Sequence, residues 1–325
     1  MTAFEELGLH NLGNILRAHG VPSTEWAEIE QGGFSGARIY RRSTDAGVSH
    51  VVKVTSAQND WIMRATSDWR CREAVLASSD GVRADRIGSA GIDSAQDGTV
   101  FSILMQDISD HLLPNERLTH RQFDAVVRGM HRLHSLAPPD EADVPWCSID
   151  DRLTLFAPDP GKLAGFRIAE DILRGWELFF DSAPKDAGDL VRSLFADLAP
   201  LTKSLERLPN RLLHGDLKLD NIGVRPDGTL SMIDWSMPLL APAAIDLGWF
   251  LAMNSRALPV SLDETLAAYA LHSTVDSRSQ ELHRSLTILC GLLIRGWRKA
   301  LDAEAGEPAE LHWWCDRALR ASSVL

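Results

Sequence analysis

The sequence predicts an α+β protein in two parts, a sheet-bearing part over residues 1–107 and a larger, mainly helical part over residues 108–325. Three observations predict it. Short alternating or apolar runs separated by turn residues crowd into the first third, which is the mark of an antiparallel sheet. Beyond Asp107 the apolar residues recur every three to four positions instead, the period of helices with one buried face. The length, 325 residues, is also more than one hydrophobic core usually serves.

Taken in order, Leu7, Leu12, Ile15 and Leu16 share helical spacing and predict a helix over 4–19. Strands follow over 26–30, 37–42, 49–54 and 99–105, with one key helix over 68–78 that carries Arg70, Arg72 and Glu73. In the second part, helices are expected over 121–136, 167–180, 187–208, 262–272 and 280–303. Prolines 138, 139, 145, 158, 160 and 184 cut this part into segments, because proline removes a backbone donor and blocks the preceding turn. The run Leu230–Ile233 reads as a short buried strand that delivers Asp234 at its end. There is no internal repeat and no low-complexity tract.

The formal net charge of -12 argues against a nucleic-acid partner, which would favour basic patches. Such acidity serves solubility first and mildly favours a cationic or neutral substrate. It is spread at similar density over both parts, so it locates no site. Cys71, Cys147, Cys290 and Cys315 are scattered without a C-x-x-C pair, which suggests neither a disulfide framework nor a zinc site. The first residues lack the basic start and apolar run of a signal peptide. The most apolar stretch, 286–297, falls short of the ~18 residues a membrane span needs. A cytoplasmic protein without a membrane partner is the expectation.

The chemistry concentrates in His214-Gly215-Asp216-Leu217-Lys218-Leu219-Asp220-Asn221, followed by Asp234-Trp235. This is an H-x-D-x-x-x-x-N pattern with a second carboxylate after it. Phosphoryl transfer asks a protein mainly for positioning and charge stabilisation, and these residue types answer it. Asp216 is placed to orient a substrate hydroxyl and accept its proton, while Asn221 and Asp234 are hard oxygen ligands for Mg²⁺. His214 reads as a brace for the loop rather than a base. Upstream, Gly32, Gly33, Phe34, Ser35 and Gly36 lie between two predicted strands, where glycines let backbone N–H groups approach phosphates. Lys53 stands alone in the apolar run Val51-Val52-Lys53-Val54 and would reach ATP phosphates if held by a helical carboxylate, Glu73 or, alternatively, Asp68. The connection after the last strand, including Gln106 and Ile108, would offer backbone groups to an adenine edge. His131 and His134 share a helical face, but no third ligand is evident and they read as packing. The ten tryptophans read mostly as core filling.

Read together, these blocks resemble the aminoglycoside phosphotransferase and choline kinase family, small-molecule kinases with a two-lobed protein-kinase-like fold. The resemblance runs from the Gly-rich segment to about Phe250 and includes Asp246 in Ala244-Ile245-Asp246-Leu247-Gly248-Trp249. It implies ATP and Mg²⁺ as cofactors. Gly33, Phe34, Ser35, Gly36, Lys53, Glu73, Gln106 and Ile108 would face the nucleotide, Asn221 and Asp234 would bind the metal, and Asp216 would be the catalytic base. Asp246 would steady the catalytic region. Gly215 replaces the arginine of H-R-D and Asp234-Trp235-Ser236 replaces D-F-G, while Asp246 follows Asp234 too soon for a long activation segment. The expected acceptor is therefore the hydroxyl of a small molecule: an aminoglycoside-like antibiotic, an amino alcohol or a sugar. Lys218 departs from the commonest drug-kinase pattern and resembles the protein-kinase loop, where it would stabilise developing charge; the other reading is a solvated loop lysine. A nucleotide-binding pseudokinase and a protein kinase are the competing functions.

Overall fold

In the computed structural model the residues described are 3–29, 36–42, 49–79, 87–114, 116–137, 143–272 and 276–325. The chain forms two compact units. The first is Met1–Leu113 with Pro139–Trp146 and Asn221–Pro238; the second is Pro114–Pro138 with Cys147–Asp220 and Leu239–Leu325.

The first unit is built on a five-stranded antiparallel sheet in the order β1-β2-β3-β5-β4. Its strands are β1 (Ala27–Ile29), β2 (Arg38–Arg42), β3 (His50–Thr55), β4 (Gly91–Asp97) and β5 (Val100–Gln106). Four lie where alternation predicts them. The fifth, β4, was not legible: Gly-Ile-Asp-Ser-Ala-Gln-Asp is polar and nowhere fully buried, so it carries no apolar alternation. The expected N-terminal helix is two pieces, α1 (Ala3–Glu6) and α2 (His10–Ala18), parted at Gly8 with φ +74°.

Side chains on a strand alternate between faces, and the two faces of this sheet carry different cores. On one, Leu12 and Leu16 of α2 pack with Phe4, Tyr40, Val52 and Leu104. Each fully buried leucine contributes roughly 1.5–3 kcal/mol there. On the other, Met63, Cys71 and Ala74 pack with Phe101, Ile103 and Met105. Met63 lies on α3 (Trp61–Ala65) and Ala74 on α4 (Arg72–Ala77), the key helix in a shorter form than predicted. Ahead of α4, whose N-cap position is Cys71, Asp68 accepts the Arg72 N–H at 2.8 Å and so satisfies the first backbone donor of the helix. A two-stranded hairpin, β7 (Ile222–Val224) with β8 (Leu230–Met232), completes the unit.

The second unit is mainly helical: α5 (His120–His134), α6 (Ile149–Thr154), α7 (Ala169–Ser182), α8 (Lys185–Ala196), α9 (Ala199–Leu205), α10 (Ala244–Asn254), α11 (Leu262–Ala270), α12 (Ser277–Glu304) and α13 (Ala309–Ala321). A capping box from Thr119 and Gln122 starts α5, and another from Ser261 and Glu264 starts α11. The helix expected over 187–208 is split into α8 and α9, because the chain turns extended at Asp197 and Pro200 opens a new helix. Long α12 is the centre of the unit and packs against α7, α10 and α13. It crosses α10 at a backbone-to-backbone approach: a Cβ on Gly248 would lie 2.5 Å from the Thr287 carbonyl and 2.8 Å from the Gly291 N. Strands β6 (Arg211–Leu213) and β9 (Leu239–Ala241) pair antiparallel and bracket the loop that begins at His214. All four cysteines are buried and free, and no helix of the described residues is long and apolar enough to cross a membrane.

Candidate active site

Lys53 sits in β3 opposite Ile39 and Ile103, on the sheet face that α4 covers. Strand periodicity therefore turns its side chain toward Glu73 instead of toward solvent. Lys53 is 6% exposed, and its ammonium donates to Glu73 Oε2 at 2.6 Å and to Asp234 Oδ1 at 2.8 Å. The second oxygen of Glu73 accepts the Trp235 N–H at 3.3 Å. Glu73, not Asp68, is thus the helical partner. Burial works against the Lys53 charge, but Asp234 and Glu73 outweigh it and hold its pKa well above the ordinary lysine value. Burial pushes the Glu73 carboxyl up, opposed by Lys53 and reinforced by Asp234. Burial also raises buried Asp60, the N-cap of α3. One ammonium among three carboxylates leaves this cluster with negative charge to spare.

The β7–β8 hairpin brings Asn221 and Asp234 together. Its register pairs Ile222 with Met232, so Asn221 precedes one strand where Ile233 and Asp234 leave the other. The Ile233 N–H donates to the Asn221 carbonyl at 3.1 Å. Asp234 itself has φ +62°, a left-handed conformation that costs an L-residue about 1 kcal/mol or more and recurs at functional positions. Gly33, Phe34 and Ser35 lie outside the described residues. Gly36 is at φ +75° and packs against Asn59, where a Cβ would meet the carbonyl oxygen at 2.4 Å. At the end of β5 the Gln106 N–H donates to Ala90, and the Ile108 carbonyl accepts the His111 and Leu112 N–H groups.

In the second unit, α10 holds the loop 214–219 along one side of the helix. Asp246 accepts the His214 N–H at 2.8 Å and the Gly215 N–H at 2.9 Å. Trp249 Nε1 donates to Asp216 Oδ1 at 2.8 Å. Asn254 accepts the Leu219 N–H at 3.1 Å. From the other side, Arg152 Nε donates to the Gly215 carbonyl at 2.5 Å. Gly215 has φ +81°, which is why glycine rather than arginine follows the histidine. His214 is fully buried, and its Nδ1 accepts the Asp216 N–H at 3.2 Å, so it braces the loop. Asp216 is 4% exposed, and Lys218 Nζ lies 3.4 Å from its Oδ2. Burial would raise the Asp246 carboxyl, but His134 and the loop amide outweigh it and hold it below the usual range.

These contacts include residues to which the sequence assigned no part in the site. His134 is no metal ligand: its Nε2 lies 3.2 Å from Asp246 Oδ2 and its Nδ1 2.8 Å from the Tyr269 hydroxyl. It lines a cavity of about 480 Å³ with His131, Tyr269 and His283. Among the described residues no group of three or more His, Cys, Asp or Glu is arranged to hold a metal ion. Arg152 and Trp249 carried no signal, because their contacts arise from packing between distant segments. Chemically, the first unit offers an anchored ammonium and hard oxygen donors to a polyphosphate. The second offers an oriented carboxylate to a proton.

A family model described as the phosphotransferase enzyme family (APH) matches residues 28–285. Among solved structures, an aminoglycoside phosphotransferase of Streptomyces rimosus is 16% identical with a TM-score of 0.50, over 88% of this chain and 99% of its own. One from Alicyclobacillus acidocaldarius is 11% identical with a TM-score of 0.50, over 91% and 90%. A choline kinase of Streptococcus pneumoniae is 14% identical with a TM-score of 0.49, over 97% and 100%. No curated protein matches the chain in sequence. The likeness is one of fold, and the fold is the α+β, protein-kinase-like one.

Proposed function

The chain belongs to the phosphotransferase enzyme family (APH), and from that premise we propose that it moves the γ-phosphoryl group of ATP to a hydroxyl of a small molecule, with Asp216 as the base. The observation that carries this reading is Lys53, buried and held between Glu73 and Asp234. A phosphate-binding lysine needs to be both fixed and charged, and the two carboxylates supply both conditions.

In this reading Lys53 steadies the ATP phosphates, with Gly33, Phe34, Ser35 and Gly36 contributing backbone N–H groups. The Ile108 N–H and the backbone at Gln106 meet the adenine edge. Asn221 and Asp234 would hold Mg²⁺. Their oxygen donors suit it, and the surplus negative charge around Lys53 fits a hard cation that takes few protein ligands and completes its shell with phosphate and water. When bound, Mg²⁺ would neutralise charge on the phosphates. Asp216 takes the proton as the acceptor oxygen bonds to the γ-phosphorus and the bond to the β-phosphate oxygen breaks, releasing ADP. The Trp249 hydrogen bond fixes one carboxylate oxygen and so aims the other. Lys218, beside that carboxylate, stabilises the charge that develops.

The test is ADP release measured against a panel of hydroxyl compounds, with and without Mg²⁺, for the parent and Asp234→Asn. Release should require both acceptor and Mg²⁺, and the substitution should lower it about a hundredfold or more. Acceptor-dependent release that survives a chelator would contradict the assignment.

A further inference from the structure

Around Trp249, in the second unit, stand two guanidinium groups without a carboxylate partner. The Arg152 guanidinium lies 4.6 Å from the centroid of the indole ring and the Arg295 guanidinium 5.6 Å. Phe156 stacks on the same ring at 5.7 Å and 13°. Arg152 is fully buried; apart from the Nε bond to Gly215, its Nη1 and Nη2 have no hydrogen-bond partner among the described residues. Arg295 is half-buried. It makes neither ion pair nor hydrogen bond among the described residues, and its other neighbour is the Trp297 ring at 5.3 Å. Among the acids nearby, Asp246 is engaged with His134 and the loop, and Asp302 with Arg298 at 3.0 Å and Arg256 at 3.3 Å; Asp216, beside Lys218 at 3.4 Å, acts on both guanidinium groups only through space. Burial pushes Arg295 down to about 10, which still leaves it a cation at neutral pH. Unpaired charge in a desolvated place is costly, so it persists where something else gains from it.

We propose that Arg295 is an acceptor-binding residue and that the acceptor is a hydroxyl compound bearing an anionic group, a carboxylate or a phosphate. The proposal rests on the phosphotransferase reading of Asp216 and narrows its substrate class. The planar guanidinium presents paired donors that match either anion bidentately, and the indoles of Trp249 and Trp297 keep it in place. Since Trp249 also binds Asp216, the anion-binding group and the base share one support. Arg152, beside the same indole ring, adds fixed positive charge. An amino alcohol or a polycationic antibiotic would bring its ammonium groups against these two guanidinium groups, so the surroundings select against it. A sugar acid, hydroxy acid or sugar phosphate meets complementary charge.

The experiment uses two matched acceptor series with the full-length enzyme and Mg-ATP: glucosamine, glucose, glucuronate and glucose 6-phosphate; then serinol, glycerol, glycerate and glycerol 3-phosphate. Anionic members should show the highest kcat/KM and cationic members the lowest, and the comparison of carboxylate with phosphate identifies the anion. Arg295→Met should lower kcat/KM for the anion roughly ten- to a hundredfold, chiefly through KM, so that its advantage over the neutral member disappears. Arg295→Lys should restore part of it. A parent enzyme that prefers the neutral or cationic members overturns the proposal and leaves the phosphotransferase reading intact. So does an Arg295→Met loss that falls equally on all members. Failure of the underlying reading is separate and shows as absent Mg-ATP binding in the same preparations.

Discussion

Lys53 and Asp216 are each held by side chains from outside their own segment, Lys53 by Glu73 and Asp234, Asp216 by Trp249. Arg152, Trp249 and Asn254 reach the loop from segments before and after it, and nothing local marks them. His134 was read as packing, yet it ties Tyr269 to Asp246 and through it to the loop amides. Lys218 carries the sharpest prediction at this scale. Its ammonium lies beside Asp216, so Lys218→Ala should cost about a hundredfold in turnover with little change in ATP affinity, read from steady-state kinetics and nucleotide titration. Turnover equal to the parent's would return it to a solvated loop lysine.

Several elements with one buried face announced themselves, but α13 did not, although Leu311, Trp314, Cys315, Ala318 and Ala321 bury one face of it. Helix α10 is buried nearly all round, so its apolar residues show no period, although it is the helix that shapes the loop. At the ends, α2 and α8 were read too long, because a turn at Gly8 or Asp197 does not interrupt apolar spacing. The packing of α12 against α11 makes a pH prediction. His283 of α12 stacks on Tyr269 of α11 at 5.7 Å and 9°. Burial pushes its imidazole down to about 4, with His134 adding to the effect. The folded protein then binds fewer protons than the unfolded chain between pH 6.5 and 4. Stability from this group is complete above pH 6.5 and is lost as pH falls through that window, by up to about 3 kcal/mol. His283→Phe keeps the stack without the titration, so in denaturant unfolding its stability should decline less than the parent's over that range. Parallel curves would contradict the assignment.

For the molecule as a whole, the order of strand-rich and helix-rich segments carried the fold class, and the family match over 28–285 agrees with it. The make-up of the compact units was not readable in that order. Residues 221–238 join the first unit through pairings such as Ser89 with Met232 and Leu112 with Gly223, which link positions more than a hundred residues apart. The proposed transfer depends on Asp216 receiving a proton from the acceptor hydroxyl as the phosphoryl group leaves ATP. Asp216→Asn keeps an oxygen for the Trp249 bond, so the loop should stay in place. The direct measurement follows the labelled γ-phosphoryl group of ATP into acceptor over one turnover, in the parent and in Asp216→Asn, with Mg-ATP affinity measured alongside. The parent should label the acceptor, and the variant should do so roughly 10²–10⁴-fold more slowly at unchanged affinity. Equal transfer rates in the two proteins, or a parent that binds Mg-ATP and labels no hydroxyl, would contradict the account.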